Sequence, residues 1–167
     1  MKPKEFIDKY MPYAKVIEDE TKIPAIAIVA QAAFESGWGS KAIGNNIFGI
    51  KYKGVGAFQK VLTTEYFKNR KDFERIIPKE DIVVIEYHMN VRMFYVKARL
   101  KFADYATPLE AFRQHANLLL TERYAHALKF ADDPKMYLRK IAESRYATLP
   151  NYADKMEDMV DSIIKRL

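Results

Sequence analysis

The 167-residue chain contains no cysteine. Disulfides, thiolate nucleophiles and cysteine-based metal sites are therefore excluded, although this does not identify a compartment. No run of eighteen apolar residues occurs, so no membrane-spanning helix is expected. The opening MKPKEFIDKYMPYAKVIEDE carries charges throughout and has no apolar h-region. It does not read as a signal peptide; the chain is expected to reach its site by another route, or with a leader or other domains attached. The three histidines, His88, His115 and His126, form no HExxH pattern and give no zinc signature. His115 reads as a helix residue with a satisfied ring. There is no P-loop, no Rossmann glycine pattern and no GxSxG. Internal repeats, low-complexity tracts and linkers are also missing, so residues 1–167 read as a single domain.

What is present is a composition of 49% hydrophobic and 30% charged residues, that of a globular domain long enough for a proper core. A net charge of +6 and a pI near 9.3 favour anionic partners: nucleic acid, anionic lipid or an anionic cell wall. No block of five like charges forms a basic tail. Eleven tyrosines suit sugar or base stacking, or equally the rim of a core.

Helical spacing of Phe6, Ile7, Tyr10 and Met11, then of Tyr13, Val16 and Ile17, predicts helices over 3–10 and 12–21 broken at Pro12. Residues 24–34 are apolar on every side apart from Gln31. Such a helix belongs inside a core. Pro24 suits its first turn, and Gly37 and Gly39 suit its stop. After a compact apolar loop at Ile47, Phe48 and Ile50, three runs rich in β-branched and aromatic residues follow: Phe58–Phe67, Ile82–His88 and Val91–Phe102. The last alternates with period two, the mark of a half-buried strand. His88-Met89-Asn90 reads as the hairpin turn. The charged KNRKDFERIIPKED between the first two strands reads as an exposed excursion. Helices resume at the capping box Thr107-Pro108-Leu109-Glu110, with Leu109, Phe112, Ala116 and Leu119 as the buried stripe. Further helices open at Asp133-Pro134 and near Asn151; Tyr152, Met156, Met159, Val160, Ile163 and Leu167 line the core side of the last. The pattern is α+β and mainly α: a helical protein with a small antiparallel β lobe inserted near residues 58–102.

The chemistry centres on Ala30-Gln31-Ala32-Ala33-Phe34-Glu35-Ser36-Gly37-Trp38-Gly39. A buried helix delivers one carboxyl, Glu35, at its C-terminal end. Desolvation and the partial negative charge of that end both favour the neutral acid, the state a general acid needs. The competing account is that Glu35 only satisfies backbone donors of the turn. Trp38 beside it is either a sugar platform or a plug at the helix end.

The stretch AQAAFESGWGSKAIGNNIFGIKYKG resembles the signature of the peptidoglycan N-acetylglucosaminidases of glycoside hydrolase family 73, the family of many autolysins and phage lysins. The likeness extends over nearly the whole chain: EFIDKYMPYAKVIEDETKIP, YATPLEAFRQHANLLL and RYATLPNYADKM are similar to the family's flanking segments. Leu149 stands where relatives often carry Asp, and the segment between Glu65 and Phe102 is longer and more charged than is typical. The resemblance implies a lysozyme-like fold and cleavage of the β-1,4 bonds of the glycan strand, as an endo-β-N-acetylglucosaminidase. It implies Glu35 as general acid and, through the Thr63-Thr64-Glu65 strand, Glu65 as second carboxylate. It implies Trp38, Asn46, Phe48, Tyr146 and Tyr152 as substrate-binding. Glu74, Glu80 and Glu86 are alternative lobe carboxylates, with a solvated lobe surface as their ordinary account.

No metal or cofactor is expected. A monomer acting on peptidoglycan at the bacterial wall, outside the cell or phage-delivered, is expected, without nucleic-acid or membrane contact. A lytic transglycosylase or muramidase on the same polymer, and a non-catalytic wall-binding or virion module, are the alternatives.

Overall fold

A computed structural model describes residues 1–147, 149 and 151–167. Thr148 and Pro150 of the closing motif RYATLPNYADKM lie outside the described residues. The chain forms two compact units. One comprises residues 1–50 and 105–167, the other residues 51–104.

In the first unit, α1 (Pro3–Thr21) is one helix with Pro12 inside it, not two helices broken there. Pro12 is exposed and so is Asp8, whose carbonyl is left without its helical donor. Water can satisfy that carbonyl. The stripe Phe6, Ile7, Tyr10, Met11, Ala14 and Ile17 stays continuous and buried, which offsets a proline cost of about 3 kcal/mol. α2 (Ala25–Ser36) follows, with Pro24 at its N-cap. Pro24 supplies no capping side chain. The Glu18 carboxylate of α1 accepts the Ala25 N–H at 2.8 Å instead, satisfying an orphan donor of the new helix. α2 packs against α1, α6 and α7. Encased this way as far as its last turn, where Glu35 reaches solvent, it has little wet face to make polar, which is why residues 25–34 are apolar all round apart from Gln31.

The helices after the lobe are α4 (Pro108–Leu119), the short α5 (Glu122–Ala125), α6 (Pro134–Glu143) and α7 (Tyr152–Ile164). A 3-10 turn, His126–Phe130, links α5 to α6. Thr107 Oγ1 accepts the Glu110 N–H at 3.3 Å, while Glu110 reaches past the cap to the Ala106 N–H at 3.0 Å. Asp133 caps α6 through the N–H groups of Lys135 and Met136. Leu167, expected inside, is exposed, because α7 ends at Ile164.

The second unit is a three-stranded antiparallel sheet in the order β1-β3-β2. The strands are β1 (Phe58–Phe67), β2 (Ile82–His88) and β3 (Met93–Ala103). The hairpin turn occupies 89–92, with Arg92 left-handed at φ 52°, one residue later than His88-Met89-Asn90. The charged segment between β1 and β2 is not a bare excursion. It forms α3 (Arg70–Ile76) and a 3-10 turn, Lys79–Asp81. Phe73 and Ile77, four residues apart, are buried with Val96 and Ala98 as the lobe's own core. Their spacing is helical, but charged neighbours on the wet face hide it in sequence. The larger core, from Phe6 to Ile163, is confined to the first unit.

Candidate active site

The end of α2 is closed by a Schellman motif. The Gly37 N–H bonds to the Phe34 carbonyl at 3.3 Å and the Trp38 N–H to the Ala33 carbonyl at 2.8 Å. Gly37, Trp38 and Gly39 are all left-handed, at φ 55°, 56° and 81°. Glycine accepts that conformation freely; Trp38 does not, and is held there by the bonds on either side of it. The Ser36 hydroxyl donates to the Ala32 carbonyl at 2.6 Å and accepts the Gly39 N–H at 2.8 Å. The turn is thereby fixed, and Glu35 is fixed with it in the last turn of the helix.

Glu35 reaches solvent at its surface, yet desolvation by the surrounding protein raises its carboxyl pKa above the ordinary 4.5. The two facts are compatible for a group wetted on one side and crowded on the others. The helix C-terminus, with its unpaired carbonyls, acts in the same direction.

Tyrosines gather around this carboxyl. Tyr146 and Tyr152 stack with ring centroids 5.7 Å apart. Tyr152 meets Phe34 edge-on at 5.7 Å, and Tyr124 meets Tyr146 at 5.9 Å. Burial pushes the hydroxyls of Tyr146 and Tyr152 well above the usual phenol range, and the nearby charge of Glu35 adds to this. The arrangement supplies neutral hydroxyl donors beside an acid that favours its protonated form. Tyr124 was not foreseen; its helix is a single turn with no periodic signal.

Three other expected residues lie in the turn and loop that follow α2. Asn46 is buried and clasps its own loop, donating to the Ile50 carbonyl and accepting the Ile50 N–H, both at 2.9 Å. Phe48 is buried, stacked on His115 at 4.0 Å and edge-on to Phe112 at 5.0 Å. Trp38 is half-buried and edge-on to Phe6 at 5.6 Å. It shares a shallow depression with Phe34 and with Lys155, Asp158, Met159 and Ser162 of α7. Leu149 is exposed.

In the second unit, Glu65 lies on β1 opposite Val96 and pairs with Lys51 Nζ at 2.6 Å. Both line a cavity of about 570 Å³ with Tyr52, Tyr66, Asp81 and Arg99. Lys51 is the partner sequence reasoning missed; only its place after the Asn-Asn loop could have marked it. Of the other lobe carboxylates, Glu74 pairs with Arg70 one turn away and Glu86 with His88. Both are surface pairs. Glu80 is exposed at the edge of the cavity.

Residues 11–165 match the family model described as Glucosaminidase, mannosyl-glycoprotein endo-beta-N-acetylglucosaminidase. The chain belongs to the glucosaminidase family of glycoside hydrolases. It is 30% identical over 158 residues to the peptidoglycan hydrolase FlgJ of Vibrio cholerae, covering 90% of this chain and 41% of that protein. It is 26% identical over 165 residues to the exo-glucosaminidase LytG of Bacillus subtilis, covering 93% of this chain and 50% of that protein. The chain thus spans half or less of the length of these relatives. Among solved structures it is similar to the glycoside hydrolase domain of Salmonella typhimurium FlgJ. The TM-score is 0.73 at 26% identity, over 99% of this chain and 90% of that one. The mainly helical architecture with a small antiparallel sheet is the lysozyme-like fold of this glucosaminidase family. Among the described residues, no helix is long and apolar enough to cross a membrane.

Proposed function

We propose that this chain hydrolyses the β-1,4 glycosidic bonds of peptidoglycan glycan strands as an endo-β-N-acetylglucosaminidase, with Glu35 as proton donor. The observation that carries this reading is the carboxyl of Glu35, held protonation-prone at the end of a buried helix beside a tyrosine cluster. A glycosidic oxygen leaves poorly until it is protonated, and a carboxylic acid with a raised pKa can supply that proton near neutral pH. The other face of the sugar then needs a base for water, a nucleophile, or its own acetamido oxygen. Glu65 is the proposed second carboxylate, either activating water or supporting the positive charge that develops on the ring. Substrate contacts are proposed at Trp38, Tyr146 and Tyr152, while Asn46 and Phe48 hold the loop that shapes the site. The protein acts as a monomer at the bacterial wall, and its positive charge aids approach to the anionic polymer.

The test is loss of turbidity of a peptidoglycan suspension, followed by mass analysis of the fragments. Fragments with a reducing N-acetylglucosamine end support the reading. An anhydro-sugar end would instead make the chain a lytic transglycosylase, and a reducing N-acetylmuramic acid end a muramidase. Unchanged turbidity with tight wall binding would leave a binding module.

Glu65→Gln should lose less activity than Glu35→Gln, because the acetamido group of the sugar can replace an external base. The expected loss stays below the roughly 10²-fold that marks the lower end for a positioned proton-transfer group. Rates of turbidity loss for the two variants decide it. Equal, complete loss from both would mean an obligatory carboxylate pair.

A further inference from the structure

Gln31 and Glu35 are four residues apart on α2 and share one face of it. Gln31 is the one polar residue in an otherwise apolar stretch, and it is fully buried. A buried carboxamide is costly unless its groups are bonded. Both ends of this one are. Its oxygen faces His115 Nε2 at 3.0 Å, and its nitrogen lies 3.1 Å from the Tyr152 hydroxyl.

The chemistry of these groups gives the chain of bonds a direction. A carboxamide oxygen can only accept, so the His115 nitrogen facing it carries the hydrogen. Burial holds the His115 pKa down at about 3, so the ring is neutral and has one N–H to give. Stacking on Phe48 at 4.0 Å and an edge contact with Tyr146 at 6.1 Å fix the ring plane. A carboxamide nitrogen can only donate, so the Tyr152 oxygen is the acceptor. The single hydrogen of Tyr152 is therefore not used on Gln31. Among the described residues it has no acceptor, and Tyr152 lies close enough to Glu35 to feel its charge.

We propose that Gln31 is a positioning residue: anchored by His115, it donates to the Tyr152 oxygen and so turns the Tyr152 hydrogen outward, toward the Glu35 carboxyl or a substrate oxygen bound beside it. This inference rests on the hydrolase reading above. It gives the buried polar chain a role in the reaction beyond filling the core.

The experiment compares wild type, Gln31→Met, Tyr152→Phe and the double variant on soluble glycan strands, with thermal melts as the folding control. Gln31→Met keeps the length of the side chain but cannot orient the hydroxyl. We expect kcat to fall roughly 10- to 100-fold, the scale of a misplaced reacting group, with KM little changed. The double variant should be no slower than the slower single variant, because the two residues act through one hydroxyl. Parental kcat in a folded Gln31→Met protein, or losses that multiply in the double variant, would overturn the proposal. A second measurement needs no variant: nitrogen-15 NMR of the wild-type His115 ring. Protonation at Nε2 is expected. Protonation at Nδ1 would reverse the amide, aim the Tyr152 hydrogen inward and defeat the proposal. If the wild type fails to cleave glycan, the hydrolase reading falls, and the tautomer still reports the direction of the chain.

Discussion

Glu35→Gln is expected to fold, to bind glycan and to lose cleavage by roughly 10²- to 10⁴-fold, the usual contribution of a positioned proton-transfer group. Glutamine matches the size of glutamate and keeps much of its hydrogen bonding, but it has no carboxylic proton to give. The pH behaviour follows from the same group. Desolvation raises the Glu35 pKa above 4.5, so the protonated, active form persists to higher pH than in an ordinary carboxyl. Activity should fall as pH rises through that raised value. For stability the sign is worked out from the same shift. A carboxyl whose folded-state pKa is raised makes its favourable contribution below the unfolded value, and loses it as pH rises through the folded value. Wild type therefore carries a cost at neutral pH that Glu35→Gln lacks. The melting temperature of the variant should gain on wild type as pH rises from the ordinary carboxyl range through the raised Glu35 value, while its activity is lost. A folded variant that cleaves at the parental rate would remove Glu35 from the mechanism.

Phe112→Ala should cost about 3–5 kcal/mol of stability, a large part of the 5–15 kcal/mol of a typical domain. Phe112 has no exposed surface. Its ring stacks on Tyr10 at 6.0 Å, meets Tyr13 at 6.0 Å and receives the edge of Phe48 at 5.0 Å. One side chain of α4 thus joins α1 to the loop that carries Asn46. Deleting it leaves a cavity bounded by rings that cannot collapse together without moving that loop. Urea unfolding should show a lower midpoint with an unchanged slope. A loss below about 1 kcal/mol, ordinary for an average substitution, would show that the neighbouring rings close the gap.

How far the sequence reveals this structure depends on where each signal resides. The end of α2 was legible because Glu35, Gly37 and Gly39 act on neighbouring backbone, and helix stops are local chemistry. β3 was legible from alternation in Phe94, Val96, Ala98, Leu100 and Phe102, and β1 and β2 from their β-branched and aromatic content. Pro12 misled because the rule against helix-interior proline describes one residue, while the burial of Phe6 through Ile17 belongs to the whole helix. α3 stayed hidden because only Phe73 and Ile77 face inward and every neighbour of Phe73 is polar or charged. The Gln31 chain was illegible for a different reason. His115 is 84 positions away and Tyr152 is 121, so only the fold brings the three groups together. The one polar residue in the apolar stretch 24–34 hinted that some partner existed, without saying which.

The two hydrophobic cores differ greatly in size. That of residues 51–104 has four buried members, Phe73, Ile77, Val96 and Ala98, whereas the helical unit buries many more. Free energy of local opening follows buried apolar contacts, so the lobe should breathe on its own, well below the global unfolding threshold. Its backbone amides are expected to exchange hydrogen for deuterium earlier than those of α2 and α7. A carboxylate such as Glu65 then sits on the more yielding scaffold, and Glu35 on the stiffer one. The segment between β1 and β2 supplies Phe73 and Ile77, two of those four members, so a change in its length falls directly on the lobe's own core.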